Sequence, residues 1–178
     1  MNRRKWLLLA VAVGCCLMAE PATAQFGGLF SRGPKAPEIS IEQLRKLQLD
    51  QRQAAASQQE AGVTAPQSSF VLVDVRSDEE LAVSIIPGAI TKAQYEKNKD
   101  RYHGRTVITY CTIGGRSGAY AKQLIKDGTK AMNFKGSILG WCQANQPLVT
   151  LDGQATNRVH IYSSRYKVPA QYLSLIHI

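Results

Sequence analysis

Cys111 stands in the stretch Tyr110-Cys111-Thr112-Ile113-Gly114-Gly115-Arg116-Ser117, directly after the apolar, β-branched run Thr106-Val107-Ile108-Thr109. A thiol is a poor nucleophile until it ionises. Backbone N–H groups, a helix N-terminus and a nearby cation all favour the thiolate. This stretch has residues for each. Gly114 and Gly115 let the backbone curl so that successive N–H groups turn inward as an anion nest. Arg116 adds a permanent positive charge, and Ser117 is suited to cap the helix that follows. The chemistry expected is nucleophilic attack by Cys111, with an anion bonded to it held by the loop from Thr112 to Ser117.

The other residues of chemical interest are few. Cys15 and Cys16 lie in an apolar N-terminal run, and Cys142 stands beside Trp141. There is no C-x-x-C pair and no Cys/His cluster at zinc spacing, and His103, His160 and His177 are scattered, so neither a metal nor a cofactor is expected. Cys142 has two readings. It is a small buried apolar residue, or it pairs reversibly with Cys111, which requires Cα atoms within about 7 Å. Trp141 is expected in the core.

The elements that must position Cys111 follow from periodicity. Ser40 with Gln43 marks a helix start, Leu44 and Leu47 share a face, and the helix extends toward Ala56 with an exposed end. Phe70–Val75 and Thr106–Tyr110 are continuous apolar runs, the pattern of parallel strands covered on both faces. Ser77 and Glu80 form a capping box, and Pro87-Gly88 forces a turn. Gly118 to Asp127 reads as a helix stopped by Gly128. Ala131–Phe134 is a short strand, Ile138–Ala144 a short helix, and Arg158–Tyr162 a further strand. Strands alternating with helices imply an α/β fold with a mostly parallel central sheet and helices on both faces. In such sheets sites lie at the carboxyl ends of the strands, where Cys111 falls.

Cys111-Thr112-Ile113-Gly114-Gly115-Arg116-Ser117 resembles the C-x-x-G-x-R-S loop of the rhodanese family. Four further pieces follow in the family's order: Val71–Arg76 like its V-x-V-D-V-R strand, Glu79-Glu80-Leu81 like its E-E-[YF] helix, Ile86–Ala89 like its H-I-P-G-A turn, and Gly136–Trp141 like its G-G-x-x-x-W helix. The resemblance spans about residues 38–150 and implies a three-layer rhodanese-like fold. It also implies a sulfurtransferase that takes a sulfane sulfur from a donor such as thiosulfate. Cys111 would carry the sulfur as a persulfide to a thiol or cyanide-like acceptor, or to a protein acceptor. By the same resemblance the loop backbone from Thr112 through Ile113, Gly114, Gly115 and Arg116 to Ser117 cradles the persulfide. Arg116 would steer the small anionic donor, and Asp74 and Arg76 would support the loop. Four residues separate Cys111 from Arg116, one fewer than in phosphatases of related architecture, which favours a sulfur substrate over a phosphate. Ser84-Ile85 replaces the family's usual Gly-His, which is expected to alter packing. Thr112 and Ile113 stand where polar or basic residues are common, which weakens the expected attraction for thiosulfate.

The chain has 178 residues, 44% of them hydrophobic and 20% charged, an ordinary globular composition. Arg3-Arg4-Lys5, the apolar run Trp6–Ala19 and Ala22-Thr23-Ala24 together read as a secretory signal over residues 1–24, which places the protein in the periplasm or outside the cell. An uncleaved anchor, or lipid attachment at Cys15, is an alternative. Cleavage after Ala24 removes Arg3, Arg4, Lys5 and Glu20 and lowers the formal charge from +9 to +7. No aromatics are interleaved with basic residues in the manner of a nucleic-acid groove. The remaining divisions are a linker over 25–37, a domain over 38–150, an extension over 151–172 and a tail over 173–178. That tail, LSLIHI, follows no cap or turn logic and has the form of sequencing-adapter read-through, so it is set apart as non-native. Two readings besides sulfur transfer stay open: a rhodanese-like module that only binds partners, and a thiol redox protein using Cys111 and Cys142 with a redox partner.

Overall fold

Phe70–Asp74 is buried at every position, so it must lie inside a sheet with both faces covered. The computed structural model, which describes residues 35–60 and 67–176, places it there. The elements in chain order are β1 (Glu38–Ile39), α1 (Ile41–Glu60), β2 (Phe70–Asp74), α2 (Asp78–Leu81), β3 (Ala89–Thr91) and α3 (Lys92–Lys97). After a 3-10 turn at Lys99–Tyr102 come β4 (Thr106–Tyr110), α4 (Gly115–Lys126), β5 (Ala131–Phe134) and α5 (Ser137–Gln143). Four short strands end the chain: β6 (Leu148–Val149), β7 (Ala155–Thr156), β8 (Arg158–His160) and β9 (Leu173–Leu175).

Five strands form one sheet in the order β1-β5-β4-β2-β3, every pair parallel. β4 is central, with Asp74 of β2 opposite Tyr110 and Ala131 of β5 opposite Val107. Successive side chains of a strand point to opposite faces, and the two faces carry separate cores. On one, Phe70, Leu72, Ile108 and Tyr110 pack with Leu44 of α1 and with Ile138, Trp141 and Cys142 of α5. On the other, Val71, Val73 and Val107 pack with Tyr95 of α3 and with Ala121 and Leu124 of α4. This is the expected α/β fold, with helices on both faces of a parallel sheet.

Local capping chemistry agrees with the sequence at several ends. The Ser40 hydroxyl accepts the Gln43 N–H, and the Gln43 side chain accepts the Ser40 N–H. Gly88 turns with φ of +80° after Pro87. α1 runs to Glu60, past the last apolar anchor, and only Leu44 in it is buried. The signal segment, most of the linker and His177 lie outside the described residues.

The segment after residue 150 packs onto the same body. Val159 and Ile161 are buried in the same apolar cluster as α5, and Tyr166, Val168, Tyr172 and Ile176 pack against it. Within the segment set apart as a tail, Leu173–Leu175 pairs parallel with β8, Arg158 opposite Leu173. Among the described residues no helix is long and apolar enough to cross a membrane.

Candidate active site

Cys111 follows β4 directly, at the carboxyl end of the central strand, and is almost wholly shielded from solvent. The turn that carries it is held from behind by the start of α5. The Cys111 N–H donates to the Ser137 hydroxyl at 3.2 Å, and its carbonyl accepts the Ile138 N–H at 3.1 Å. The Thr112 carbonyl accepts the Leu139 N–H at 3.3 Å. The orphan N–H groups at the start of one helix thereby fix the carbonyls of the loop, leaving the loop's own N–H groups free to face the sulfur.

Gly114 is the hinge of this arrangement. Its φ is +92°, and a Cβ added there would lie 2.6 Å from the Lys135 carbonyl oxygen. Both facts demand glycine. The left-handed turn aims the Gly114 N–H at Cys111 Sγ, 3.1 Å away. It also starts α4 at Gly115, earlier than the sequence suggests, so the cap is Gly114 and not Ser117. Ser117 lies inside the first turn of α4, buried, with its hydroxyl donating to Asn133 Oδ1 at 2.7 Å and lying 3.5 Å from Cys111 Sγ. One hydroxyl proton cannot serve both acceptors. The contact to Asn133 is the shorter of the two. Asn133 Nδ2 meanwhile donates to the Gly114 carbonyl at 3.1 Å, fixing the same turn from β5.

Burial pushes the Cys111 thiol up, but the Ser117 hydroxyl and the N–H groups of Ser117, Ile113 and Gly114 outweigh it, and its pKa falls below the ordinary cysteine value. Cys142 is the opposite case. It sits on α5 inside the apolar core, and burial pushes its thiol up to about 12. Both cysteines are free thiols.

The charge of Arg116 is met within the chain. Its Nη1 donates to Glu80 Oε2 at 2.6 Å and its Nη2 to Glu80 Oε1 at 2.8 Å, with a further bond from Nη2 to Thr112 Oγ1 at 2.9 Å. Thr112 donates to Glu80 Oε1 at 2.6 Å, and the Ser77 N–H donates to Glu80 Oε2 at 3.1 Å. Glu80 is buried, which opposes ionisation, yet the bonds from Arg116, Thr112 and Ser77 hold its carboxyl down to about 2. Bonding to Glu80 raises the Arg116 pKa in turn. The sequence presents Glu80 as a capping residue, and it is one. Its second role, tying Arg116 and Thr112 together, depends on a fold that brings α2 against the loop.

Asp74 and Arg76 form a wholly buried ion pair at 2.7 Å, and Arg76 also donates to the Ser84 carbonyl. Burial lowers the Arg76 pKa, and the Asp74 carboxylate more than restores it, so the net shift is upward. Their connection to the loop runs through Tyr110. Its carbonyl accepts the Val75 N–H, its hydroxyl accepts the Ile86 N–H, and its ring lies 5.9 Å from the Arg76 guanidinium carbon. Ser84, standing where the family's usual glycine does, contributes its carbonyl to this clamp.

A cavity of about 210 Å³ opens over Cys111, lined by Thr112, Ile113, Gly115 and Arg116 and roofed by Tyr162 and Tyr166. A larger hollow of about 920 Å³ lies at the amino end of β4, beside Thr106, Gly128 and Lys130, and has no thiol in its lining. Of the two, the smaller has Cys111 in its lining. The two tyrosines, like Asn133 and Ser137, carry no local signal that reveals their place beside Cys111. Among the described residues no group of three His, Cys, Asp or Glu side chains could hold a metal ion.

This arrangement can stabilise a thiolate and then hold an anionic sulfur adduct on it. Comparison with known proteins bears on the family. The rhodanese-like domain profile matches residues 51–144. A sulfurtransferase of Allochromatium vinosum is 30% identical over 97 residues, covering 50% of this chain and 87% of that protein. A tRNA uridine(34) hydroxylase of Ruegeria pomeroyi is 32% identical over 83 residues, covering 41% of this chain and 28% of that protein. Among solved structures, a thiosulfate sulfurtransferase from Pseudomonas aeruginosa superposes with a TM-score of 0.46 at 20% identity, over 67% of this chain and 21% of that one.

Proposed function

The chain belongs to the family of rhodanese-like domains, and from that premise we propose that it is a sulfurtransferase with Cys111 as the sulfur carrier. The Cys111 thiolate attacks the outer, sulfane sulfur of a small donor such as thiosulfate. The donor's S–S bond breaks, its electron pair leaves with sulfite, and Cys111 becomes a persulfide. An acceptor thiolate or cyanide then attacks the terminal sulfur, and the Cys111 thiolate is restored. Atoms and charge balance in both steps without an oxidant.

The observation that carries this reading is the Gly114 N–H at 3.1 Å from Cys111 Sγ, in a turn whose geometry only glycine allows. A persulfide anion extends the same negative charge by one atom, and a nest of N–H groups accommodates it. In this reading Thr112, Ile113, Gly115, Arg116 and Ser117 form the walls around the donor and the persulfide. Asp74 and Arg76 hold the strand ends beneath. The redox alternative is disfavoured by Cys142, which burial keeps as a neutral thiol at ordinary pH. The N-terminal pattern of residues 1–24 supports export to the periplasm or beyond as part of the same proposal.

Intact-mass analysis of the reduced protein after thiosulfate tests the reading. A gain of about 32 Da, removed by cyanide and absent in Cys111→Ser, is the expected result. A folded, reduced protein that takes up no sulfur from any sulfane donor would overturn it and leave a partner-binding module.

A further inference from the structure

Resting on that sulfur-transfer reading, we infer that the cavity over Cys111 selects sulfane sulfur carried on an apolar organic group with at most one negative charge, and disfavours the thiosulfate dianion. Glu80, Tyr162 and Tyr166 are the residues that set this preference.

The first observation is charge. Among the described residues Arg116 is the one basic or acidic side chain lining the cavity, and Glu80 meets it with two bonds of 2.6 and 2.8 Å. The pair is neutral as a unit. Three of the five guanidinium N–H groups are already committed, two to Glu80 and one to Thr112. A dianion approaching the Cys111 thiolate needs a net positive wall, and here meets a cancelled one with the Glu80 carboxylate behind it. The positive charge of the chain as a whole does not replace a local one, because salt screens it beyond about 10 Å at 0.1 M.

The second observation is shape and polarity. Ile113 projects at the mouth, 50% exposed, and Tyr162 stands over it, 64% exposed. The Tyr162 ring lies 5.6 Å from the Arg116 guanidinium carbon, covering a face of the cation from an incoming anion. These side chains give an apolar group on the donor a surface to bury against. The cavity has the volume of roughly seven waters, more than a thiosulfate ion needs and enough for an aryl-sized group.

The third observation is backbone strain. Tyr162 has a φ of +65°, an uncommon conformation for an aromatic residue. It is held by its own N–H bond to His160 Nδ1 and by the Ser163 N–H bond to the Ile161 carbonyl. The segment is anchored into the core through Ile161 and Tyr166. A strained residue kept in place beside the reactive thiol is what a roof with a task requires.

The transfer step for such a donor balances. Cys111 thiolate attacks the sulfane sulfur of an organic thiosulfonate, the S–S bond breaks, and the organic sulfinate leaves with the electron pair. The persulfide on Cys111 keeps the charge that the thiolate brought.

Benzenethiosulfonate and thiosulfate form the test pair, since an aryl group in one replaces a charged oxygen in the other. Second-order rates of Cys111 persulfide formation are measured for both by rapid quench and intact mass, each divided by the rate for free cysteine. The wild-type ratio should favour benzenethiosulfonate by about tenfold or more. Glu80→Gln should raise the thiosulfate rate, and Tyr162→Ala with Tyr166→Ala should lower the benzenethiosulfonate rate and, by uncovering Arg116, raise the thiosulfate rate, each change shrinking the ratio several-fold. The roof variant keeps the test decisive if Glu80→Gln fails to fold. Loading of Cys111 by both donors at a normalised ratio of one or less overturns the selectivity and leaves sulfur transfer intact. Loading by neither overturns both.

Discussion

Cys111 and Cys142 are both removed from solvent, and burial alone raises the pKa of each. They end on opposite sides of the ordinary value. Cys142 sits on α5 among Ile138, Leu139 and Trp141, where no hydrogen bond offsets desolvation. Cys111 sits in a turn that aims the N–H groups of Ile113, Gly114 and Ser117 at its sulfur and that a neighbouring helix braces from behind. Depth does not make a thiol reactive or inert; the donors aimed at its sulfur do. The difference also separates two uses of the same element. α5 hides one thiol with its apolar side chains and supports the other with its N-terminal N–H groups.

The largest expected effect breaks the comparison outright. Cys111→Ser should abolish sulfur loading, and Cys142→Ala should leave the loading rate within about twofold while costing stability as a core truncation. If folded Cys142→Ala protein cannot load sulfur, the two thiols act together and the contrast is false.

Next in size is Gly114→Ala, which meets both a left-handed backbone and the Lys135 carbonyl. It should lose about 2–4 kcal/mol in urea unfolding and nearly all sulfur loading. Unchanged loading in that variant would show that the Gly114 N–H is not what activates Cys111.

Glu80 sharpens the comparison through pH. Its folded pKa, about 2, lies below the ordinary carboxyl value, so its stabilisation is complete above about pH 4.5 and is lost as pH falls toward 2. The contribution is up to about 3 kcal/mol. The urea midpoints of wild type and Glu80→Gln should therefore differ at pH 7 and converge as the pH is lowered through 4 to 3. A gap that stays constant over that range would remove the ionised carboxylate from the account.

The smallest effect concerns Ser117. Removing its hydroxyl in Ser117→Ala should move the midpoint of the pH curve for iodoacetamide alkylation of Cys111 upward, slowing the reaction at pH 7 roughly three- to tenfold. An unmoved midpoint would mean that the hydroxyl proton stays on Asn133 and that backbone N–H groups carry the whole shift.

Much of the scaffold was legible because local rules and tertiary context agree. The continuous apolar runs at Phe70 and Thr106 had to be covered on both faces, and the sheet covers them. The pairs Ser40 with Gln43 and Ser77 with Glu80 cap as their spacing indicates. The expectation for Ser117 failed for a definable reason: Gly114 turns the chain into the helix sooner, and a serine inside the first turn bonds across to β5 instead of to its own helix. Residue 150 is where the family resemblance stops, and no motif marks the segment after it. A few apolar residues, Val159 and Ile161 among them, suffice to pack such a segment onto an existing core.

The make-up of the Cys111 loop was set by the sequence alone: cysteine after a buried strand, paired glycines, and arginine and serine at short range. The tertiary structure decided what surrounds that loop. Glu80 lies 36 residues from Arg116, and Asn133 lies 16 from Ser117. Tyr162 and Tyr166 come from a segment with no motif at all. Contacts at such separations exist only once the sheet has ordered its strands. Charge cancellation and an apolar roof are properties of that assembled surface, not of any stretch of chain.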